Sequence, residues 1–196
     1  MNERSAPTIF FTLHFDTTTE DRIRNCWQRL AHAGIAVPGL TGLRPHITLA
    51  AYETDALAHY RTLLAEFVQT QTAFPIRFDY LGIFPESRAV FLAPRVTNQL
   101  TNVQAALAHM LAGPDRAPLK FAEHLAPENW IPHCTVMAGC PEEELTAITS
   151  LLVQQWEPIG GMVAGIGIVV APAVSDLVQY SFRHSDTTTS TPQSPV

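Results

Sequence analysis

Positive charge is scarce in this sequence, and lysine is almost absent. The 196 residues include twelve lysines and arginines against eighteen aspartates and glutamates, for a net charge of −6, and Lys120 is the only lysine. Tight binding of long nucleic acids depends on a basic surface that displaces counterions from the phosphate backbone. We therefore expect no long nucleic acid as a partner. A small anionic substrate needs only a few donors, and arginine suits bidentate contacts with phosphate.

Cysteines and long apolar runs are also few. The three cysteines, Cys26, Cys134 and Cys140, are odd in number and form no C-x-x-C pair, which argues against a disulfide framework or a zinc knuckle. The longest apolar stretch, 162–173, is shorter than the roughly 20 residues of a membrane-spanning helix. The N-terminus lacks the basic and then apolar order of a secretory signal. We expect a cytoplasmic protein with reduced thiols and no membrane partner.

The composition is that of a folded protein. Hydrophobic residues make up 46% of the chain and charged residues 15%, so a chain of this length can bury a core as one domain. Residues 185–196 are mostly serine, threonine, proline and glutamine, which have little to bury. We predict one monomeric domain over residues 1–184 and a disordered tail over residues 185–196.

Apolar periodicity predicts two similar halves. Alternating β-branched runs indicate strands, and apolar residues spaced by three and four indicate four helices, three of which are predicted to start near Thr18, Asp55 and Pro141. The element order is β-α-β-α-β followed by β-α-β-α-β-β, with strands over residues 8–15, 45–53, 74–84, 89–96, 130–138, 162–171 and 177–184. This repetition predicts an α+β fold of two lobes related by a pseudo-twofold axis, with a cleft between them.

A repeated motif is the most specific signal in the chain. Arg44-Pro45-His46-Ile47-Thr48-Leu49 and Ile131-Pro132-His133-Cys134-Thr135-Val136 share the pattern P-H-x-T and lie 133 − 46 = 87 residues apart. Chance would place about 0.06 such tetrapeptides in a chain of this composition. On a strand, the histidine and threonine of each motif share one face at about 7 Å, and the residues between them point into the core. Two facing strands would bring two imidazoles and two hydroxyls to one pocket.

Two imidazoles can supply a base and an acid. Imidazole titrates near pH 6.5, so one ring can be neutral while the other is protonated. Opening a cyclic phosphodiester needs a base for the attacking oxygen and an acid for the departing one, and each contributes about 10²- to 10⁴-fold. We predict His46 and His133 as this pair, and Thr48 and Thr135 as donors to the phosphate oxygens. The scheme requires no metal and no cofactor, and the near-symmetric motifs leave open which histidine is the base.

Plainer interpretations apply to the motif residues taken singly. A lone H-x-T on a strand is more often a structural histidine than a catalytic one. Metal binding by His46 and His133 lacks a nearby third ligand of the kind that zinc and iron sites have. Cys134 should point to the face opposite His133, which favours core packing over a nucleophilic role.

The twin motif resembles that of the two-histidine phosphoesterase superfamily, in particular its bacterial branch similar to 2′-5′ RNA ligases and 2′,3′-cyclic phosphodiesterases. The matching H-x-T-x segments are residues 46–49 and 133–136, and residues 82–88 look like the F-P-x-x-R turn of RNA ligase-like members. The resemblance covers most of residues 8–184. It implies two lobes, each an antiparallel sheet with two helices. It also implies metal-independent phosphodiester chemistry on a ribonucleotide end.

Residues that contact the rest of a substrate are predicted from their positions. Arg44 and Arg88 are candidates for binding phosphate charge. Phe84, Trp130 and Tyr180 are candidates for stacking on a base, which contributes about 1 to 3 kcal/mol per contact.

One long loop has two interpretations. The loop over residues 114–129 either covers the cleft, with Arg116, Lys120 and His124 directed toward a phosphate, or is an ordinary surface loop.

The sequence predicts a phosphodiesterase acting on a small nucleotide or short oligoribonucleotide. The substrate would be a 2′,3′-cyclic phosphate or a 2′-5′-linked oligonucleotide. Two alternatives stay open: a nucleotide-binding module without activity, and a 2′-5′ RNA ligase or RNA end-processing enzyme. The acidic charge of the chain argues against the ligase.

Overall fold

The computed structural model describes residues 6–37, 42–112, 120–171 and 175–184. The predicted disordered tail, 185–196, therefore lies outside the described residues. The predicted order of strands and helices is confirmed, with one short helix added. In chain order the elements are β1 Thr8–Phe15, α1 Thr17–His32, β2 His46–Glu53, α2 Leu57–Val68, β3 Phe74–Phe84, β4 Ala89–Pro94, α3 Asn98–Leu111, α4 Ala122–Leu125, β5 Cys134–Met137, α5 Glu142–Gln154, β6 Ile159–Ala171 and β7 Ser175–Ser181.

The strands form one connected antiparallel sheet, which confirms the predicted α+β class. Their order is β2-β1-β6-β3-β4-β5, and β7 also pairs with β6. The long strand β6 joins the two lobes, because its first residues pair with β3 and the rest pair with β1 and β7. The two halves of the sequence are therefore interleaved in the sheet: β6 pairs with β1 of the first half and with β7, while β3 of the first half pairs with β4 of the second.

The two motif strands lie at opposite ends of this strand order but contact each other in space. β2 and β5 are the first and last strands of the sequence of pairings, and they nevertheless pack together. Sheets acquire a right-handed twist, which lets the ends of a curled sheet approach each other. Helices α1 and α5 pack together, as do α2 and α3. No helix in the described ranges is long and apolar enough to cross a bilayer.

Helix α1 begins at a different residue from the one predicted. Its N-cap is Asp16, whose carboxylate accepts hydrogen bonds from the backbone N–H of Thr19 at 2.9 Å and from its hydroxyl at 2.8 Å. The same carboxylate accepts from the backbone N–H of Met162 on β6, at 2.6 Å. The prediction of Thr18 as the cap is wrong, because Asp16 satisfies the helix start and a neighbouring strand together.

Two other predicted helix starts also differ. Helix α2 has Ala56 at its N-cap without a side-chain hydrogen bond, so Asp55 does not cap it. The hydroxyl of Thr54 instead accepts from the backbone N–H of Ala56, at 3.0 Å. Pro141 is the N-cap of α5 and not its first helical residue, and three glutamates follow it in the first turn, where the helix dipole favours negative charge.

Strand β5 is shorter than the predicted 130–138. Residues 130–132 lie outside it, because Pro132 has no N–H to donate to a neighbouring strand. His133 therefore directly precedes the strand. The residues between and after the motif positions, Ile47, Leu49, Cys134 and Val136, are buried as alternation predicted.

The close packing around Gly167 on β6 can be tested by substitution. A Cβ at this position would lie 2.4 Å from the carbonyl oxygen of Val178 and 2.6 Å from Cε1 of His14. Because that carbonyl belongs to the sheet backbone, we expect Gly167→Ala to lower the free energy of unfolding by about 1 to 3 kcal/mol.

The matched control is Gly160→Ala on the same strand, where no atom lies within 4 Å of the new Cβ. We expect Gly160→Ala to change the free energy of unfolding by no more than about 0.5 kcal/mol. Urea unfolding measures both variants, and equal losses would contradict the packing described.

Candidate active site

Each motif histidine is held by the backbone two residues before it. Nδ1 of His46 lies 2.7 Å from the carbonyl oxygen of Arg44, and Nδ1 of His133 lies 2.7 Å from that of Ile131. A carbonyl oxygen only accepts, so Nδ1 carries the hydrogen in both rings and donates it. The proton that either ring accepts or releases in a reaction is therefore the one on Nε2.

The local sequence explains why this hydrogen bond forms twice. Pro45 and Pro132 each stand between the acceptor carbonyl and the histidine, and a proline ring restricts φ to about −65°. Proline also drives the residue before it toward an extended conformation. The shared x-P-H sequence therefore presets the same backbone path in both motifs.

The fold brings the two motifs together beside Cys134. Burial raises the pKa of the Cys134 thiol to about 12, while a hydrogen bond from the backbone N–H of His46 acts in the opposite direction. This contact joins the start of β2 to the start of β5. The four motif residues are half-buried, whereas the residues between them are buried.

His133 lies in an apolar environment. Burial lowers its pKa below the usual value, neighbouring His46 and His124 lower it further, and the hydrogen bond to Ile131 opposes them. Phe84 contacts the ring edge-on at 4.9 Å between centroids, and Phe91 lies at 5.3 Å. The ring is therefore neutral near pH 7, in the form that accepts a proton at Nε2.

The motif residues line two cavities, and not the single pocket that the sequence predicts. The larger, of about 790 Å³, is lined by Thr48 and His133 together with residues from both halves of the chain. The smaller, of about 100 Å³, is lined by His46 and Thr135 and is mostly apolar. The larger cavity is within the size range of small-molecule sites.

Aromatic rings form much of the wall of the larger cavity. His124 stacks on Phe84 with centroids 5.3 Å apart and an interplanar angle of 22°. Phe10 stacks on Phe121 at 6.3 Å and 18°. Flat apolar faces of this kind are the surfaces on which nucleobases stack.

A third histidine lies beside His46 on the neighbouring strand of the sheet. His14 is buried on β1 as the pairing partner of His46 on β2. Its Nδ1 lies 3.5 Å from a guanidinium nitrogen of Arg44, which only donates, so Nε2 carries the hydrogen and donates to the Thr12 hydroxyl at 3.0 Å. Burial lowers the pKa of His14 to about 3, and Arg44 and His46 contribute in the same direction. His14 is thus a neutral structural residue with the tautomer opposite to that of His46.

The residues predicted to bind substrate occupy different places. Phe84 lines the larger cavity. The indole N–H of Trp130 donates to the carbonyl oxygen of Thr48 at 3.0 Å, so this side chain connects the approach to β5 with β2. Tyr180 lines a separate cavity of about 240 Å³ beside His14 and Arg44.

The two predicted arginines occupy different positions relative to the motif cavities. Nε of Arg44 donates to Glu20 at 2.9 Å, and Nη1 donates to Gln179 at 2.5 Å. Arg88 lies in the turn between β3 and β4 with φ 48°, and its carbonyl oxygen accepts from the backbone N–H of Cys140 at 3.1 Å. Among the residues described, Arg88 does not line either motif cavity, whereas Arg44 lines the smaller one.

The sequence predicted some of the residues that line the larger cavity and missed others. Of the loop residues considered, His124 lines the larger cavity, Lys120 forms an ion pair with Glu53 at 3.3 Å, and Arg116 lies outside the described residues. The alternation along β1 could have identified Phe10, but nothing in the sequence distinguishes Phe121. Over the ranges described, no group of three or more histidine, cysteine, aspartate or glutamate side chains converges to hold a metal ion.

Comparison with known proteins identifies the family. A sequence profile of the 2′-5′ RNA ligase superfamily matches residues 19–173, a span that includes both motifs. The chain belongs to this superfamily. No curated protein matches the sequence.

Solved structures share the fold of this 2′-5′ RNA ligase superfamily member. E. coli LigT in its apo form is 18% identical, with a TM-score of 0.57 over 91% of this chain and 99% of that chain. TT0787 of Thermus thermophilus is 16% identical, with a TM-score of 0.57 over 90% of this chain and 98% of that chain. The family match confirms the resemblance to the 2′-5′ RNA ligase-like two-histidine phosphoesterases, and the solved structures share the fold.

The buried histidine of this superfamily member predicts a pH-dependent stability. Because the pKa of His14 falls from 6.5 to about 3 on folding, only the unfolded chain binds its proton between these values. The contribution of neutral His14 to the free energy of unfolding is fully present above pH 6.5. Below that pH we expect the free energy of unfolding to fall by about 1.4 kcal/mol per pH unit.

His14→Gln should reduce this slope, as measured by urea unfolding at a series of pH values from neutral to acidic. The exposed His109 provides the control His109→Gln, which should keep the wild-type slope. A His14→Gln variant that loses stability with falling pH as steeply as the wild type would contradict the assignment.

Proposed function

We propose that this protein is a metal-independent phosphodiesterase that hydrolyses a small ribonucleotide, either a 2′,3′-cyclic phosphate or a 2′-5′-linked short oligonucleotide. Family and fold support phosphoesterase or RNA ligase-like chemistry. The observation that carries the proposal is the repeated hydrogen bond from Nδ1 of His46 and His133 to a backbone carbonyl. It gives both imidazoles the same tautomer, with Nε2 as the reacting nitrogen.

The surroundings of the two histidines support different roles for them. The lowered pKa of His133 favours the neutral ring, which takes a proton from the attacking water at Nε2. His46 in its protonated form then gives its Nε2 proton to the departing ribose oxygen. The water oxygen forms a bond to phosphorus while the bond from phosphorus to that ribose oxygen breaks, so one proton enters the pair and one leaves it.

The threonines and the aromatic wall support binding. Thr48 shares the larger cavity with His133, and Thr135 shares the smaller one with His46. Their hydroxyls can donate to the non-bridging phosphate oxygens, where negative charge develops. The nucleoside then occupies the larger cavity, against Phe84.

Ligands of a related structure support a substrate of this size. E. coli LigT has been solved in complex with phosphate, with ATP, with 3′-AMP and with NADP+. We infer that the larger cavity of this protein takes a nucleotide of similar size. A net charge of −6 argues against a long RNA at the same site.

A 2′-5′ RNA ligase is the second candidate, because the superfamily carries that name. Ligation would use the same two histidines in the same roles, with a 5′-hydroxyl in place of water: its oxygen bonds to phosphorus while the bond from phosphorus to the ribose 3′-oxygen of the cyclic phosphate breaks. Incubation with a mixture of RNA ends carrying 2′,3′-cyclic phosphate and 5′-hydroxyl groups distinguishes the two: a longer product indicates ligation.

The catalytic proposal is tested by turnover of nucleoside 2′,3′-cyclic phosphates in the presence of EDTA. We expect wild-type protein to hydrolyse them, and His46→Ala and His133→Ala each to lower kcat by about 10²- to 10⁴-fold, because each removes an acid or a base. The control is His109→Ala, which changes an exposed histidine on α3 and should retain wild-type kcat.

One result would contradict hydrolysis itself, and another would contradict the role of a histidine. Wild-type turnover no greater than that of the His46→Ala, His133→Ala double variant would leave a binding module as the alternative. Full activity in either single variant would remove that histidine from the mechanism.

The role of the aromatic wall is tested by Phe84→Leu. Removal of the ring should raise KM about tenfold with a small change in kcat, since stacking on a base contributes about 1 to 3 kcal/mol. Tyr80→Leu, at an exposed position of the same strand, is the control. Steady-state kinetics give both constants, and an unchanged KM for Phe84→Leu would place the base elsewhere.

A further inference from the structure

We propose that Glu20 is a positioning residue for His46 and acts through Arg44; this inference rests on the proposed function. The connection has two steps. Oε1 of Glu20 accepts hydrogen bonds from Nε of Arg44 at 2.9 Å and from Nη2 at 2.5 Å. The backbone carbonyl of the same arginine accepts the Nδ1 proton of His46 at 2.7 Å.

The burial of Glu20 indicates a specific role for its charge. The residue is only 7% exposed, in the first turn of α1. Removing a carboxylate from water is costly unless it is paired and hydrogen-bonded. Arg44 supplies a two-nitrogen contact, and Arg24 adds a weaker ion pair at 3.6 Å. The stronger pairing is therefore with the residue that also orients His46.

Arg44 is held from several directions, which fixes its backbone as well as its side chain. Nη1 donates to Gln179 on β7 at 2.5 Å and lies 3.5 Å from Nδ1 of His14 on β1. Together with Glu20 on α1, these contacts anchor one guanidinium to three elements. The carbonyl at the entry to β2 is thereby kept where it receives the His46 proton.

The second motif has no matching ion pair at the residue that accepts its histidine proton. That residue, Ile131, has an apolar side chain that is 43% exposed, and its backbone N–H donates to the carbonyl oxygen of His124 at 3.3 Å. The two histidines thus make the same kind of hydrogen bond, but different contacts hold the carbonyl group that accepts it. A change of charge at Glu20 should act on His46 and leave the tautomer of His133 unchanged.

The sign of the electrostatic effect follows from the groups around His46. Arg44 lies beside it, His14 pairs with it from β1, and Cys134 at the start of β5 and His133 just before that strand face it. Neutralising Glu20 leaves the Arg44 guanidinium uncompensated. The imidazolium form of His46 becomes less stable, so the pKa of His46 falls. A smaller fraction of His46 then carries the proton that it donates to the departing oxygen.

The test compares Glu20→Gln with wild type by nitrogen NMR of the labelled imidazoles and by steady-state kinetics. We expect the titration of His46 to move down by about half a pH unit or more. We also expect kcat to fall about tenfold, as for the loss of groups that orient a reacting ligand, with KM unchanged. Glu20→Asp keeps the charge and should show a smaller change in both measurements.

The matched control is Asp79→Asn. Asp79 also has a carboxylate of low exposure that pairs with two arginines, Arg77 and Arg95. These partners lie on β3 and directly after β4. Its neutralisation should leave the His46 titration and kcat at wild-type values. A loss equal to that of Glu20→Gln would mean that the effect reports only the loss of an ion pair.

Three results overturn the positioning role. The first is an unchanged His46 titration in folded Glu20→Gln, with thermal unfolding used to establish the fold. The second, should that variant not fold, is an unchanged His46 titration in Arg44→Lys, which keeps the positive charge but loses the fork of donors. The third is a rise in KM alone for Arg44→Lys, which would make this arginine a phosphate contact. Absence of turnover by wild-type protein would refute the proposed function instead, while the NMR measurement would still test the connection.

Discussion

The hydrogen bond from an imidazole Nδ1–H to the carbonyl two residues earlier is the interaction on which the site depends. It occurs at His46 and at His133 with the same length, 2.7 Å, and a carbonyl can make it only by accepting. The bond therefore selects one tautomer and one ring orientation in each motif before any substrate is present. The proposed proton transfer by two such rings would need no rearrangement of the imidazoles, because the bond orients both in advance.

The same local geometry is placed in two different environments. His133 lies against Phe84 and Phe91 and has a lowered pKa caused mainly by burial. His46 lies beside the polar network of Arg44 and Glu20. The proposed division into an acid and a base rests on this difference in surroundings. The duplicated motif thus provides matched geometry in two unlike environments.

Much of the architecture could be predicted, because strands and long helices have strong periodic signals. The strand Thr8–Phe15 and the helix Leu57–Val68 have the bounds or apolar faces that their patterns indicate. The errors lie at element ends. Thr18 fits the sequence pattern of a cap for the first helix, but Asp16 is the cap because its carboxylate also binds the backbone of Met162, which is distant in sequence. The shortened strand β5 has a local origin instead, since Pro132 has no N–H to donate to a neighbouring strand.

The sequence by itself determined which residues could do the chemistry and how each is held: the two P-H-x-T segments set the alternation, the proline path and hence the local imidazole bond. The repeated halves predicted that the two segments face each other, but the sequence could not show how they meet: β2 and β5 are the end strands of the pairing order and approach through the curvature of a sheet joined by β6. It could not show the buried Glu20 behind Arg44 either, because a glutamate in a first helical turn is ordinarily accounted for by the helix dipole. Local geometry is encoded in neighbouring residues, whereas burial and the pairing of charges depend on contacts between residues far apart in the chain.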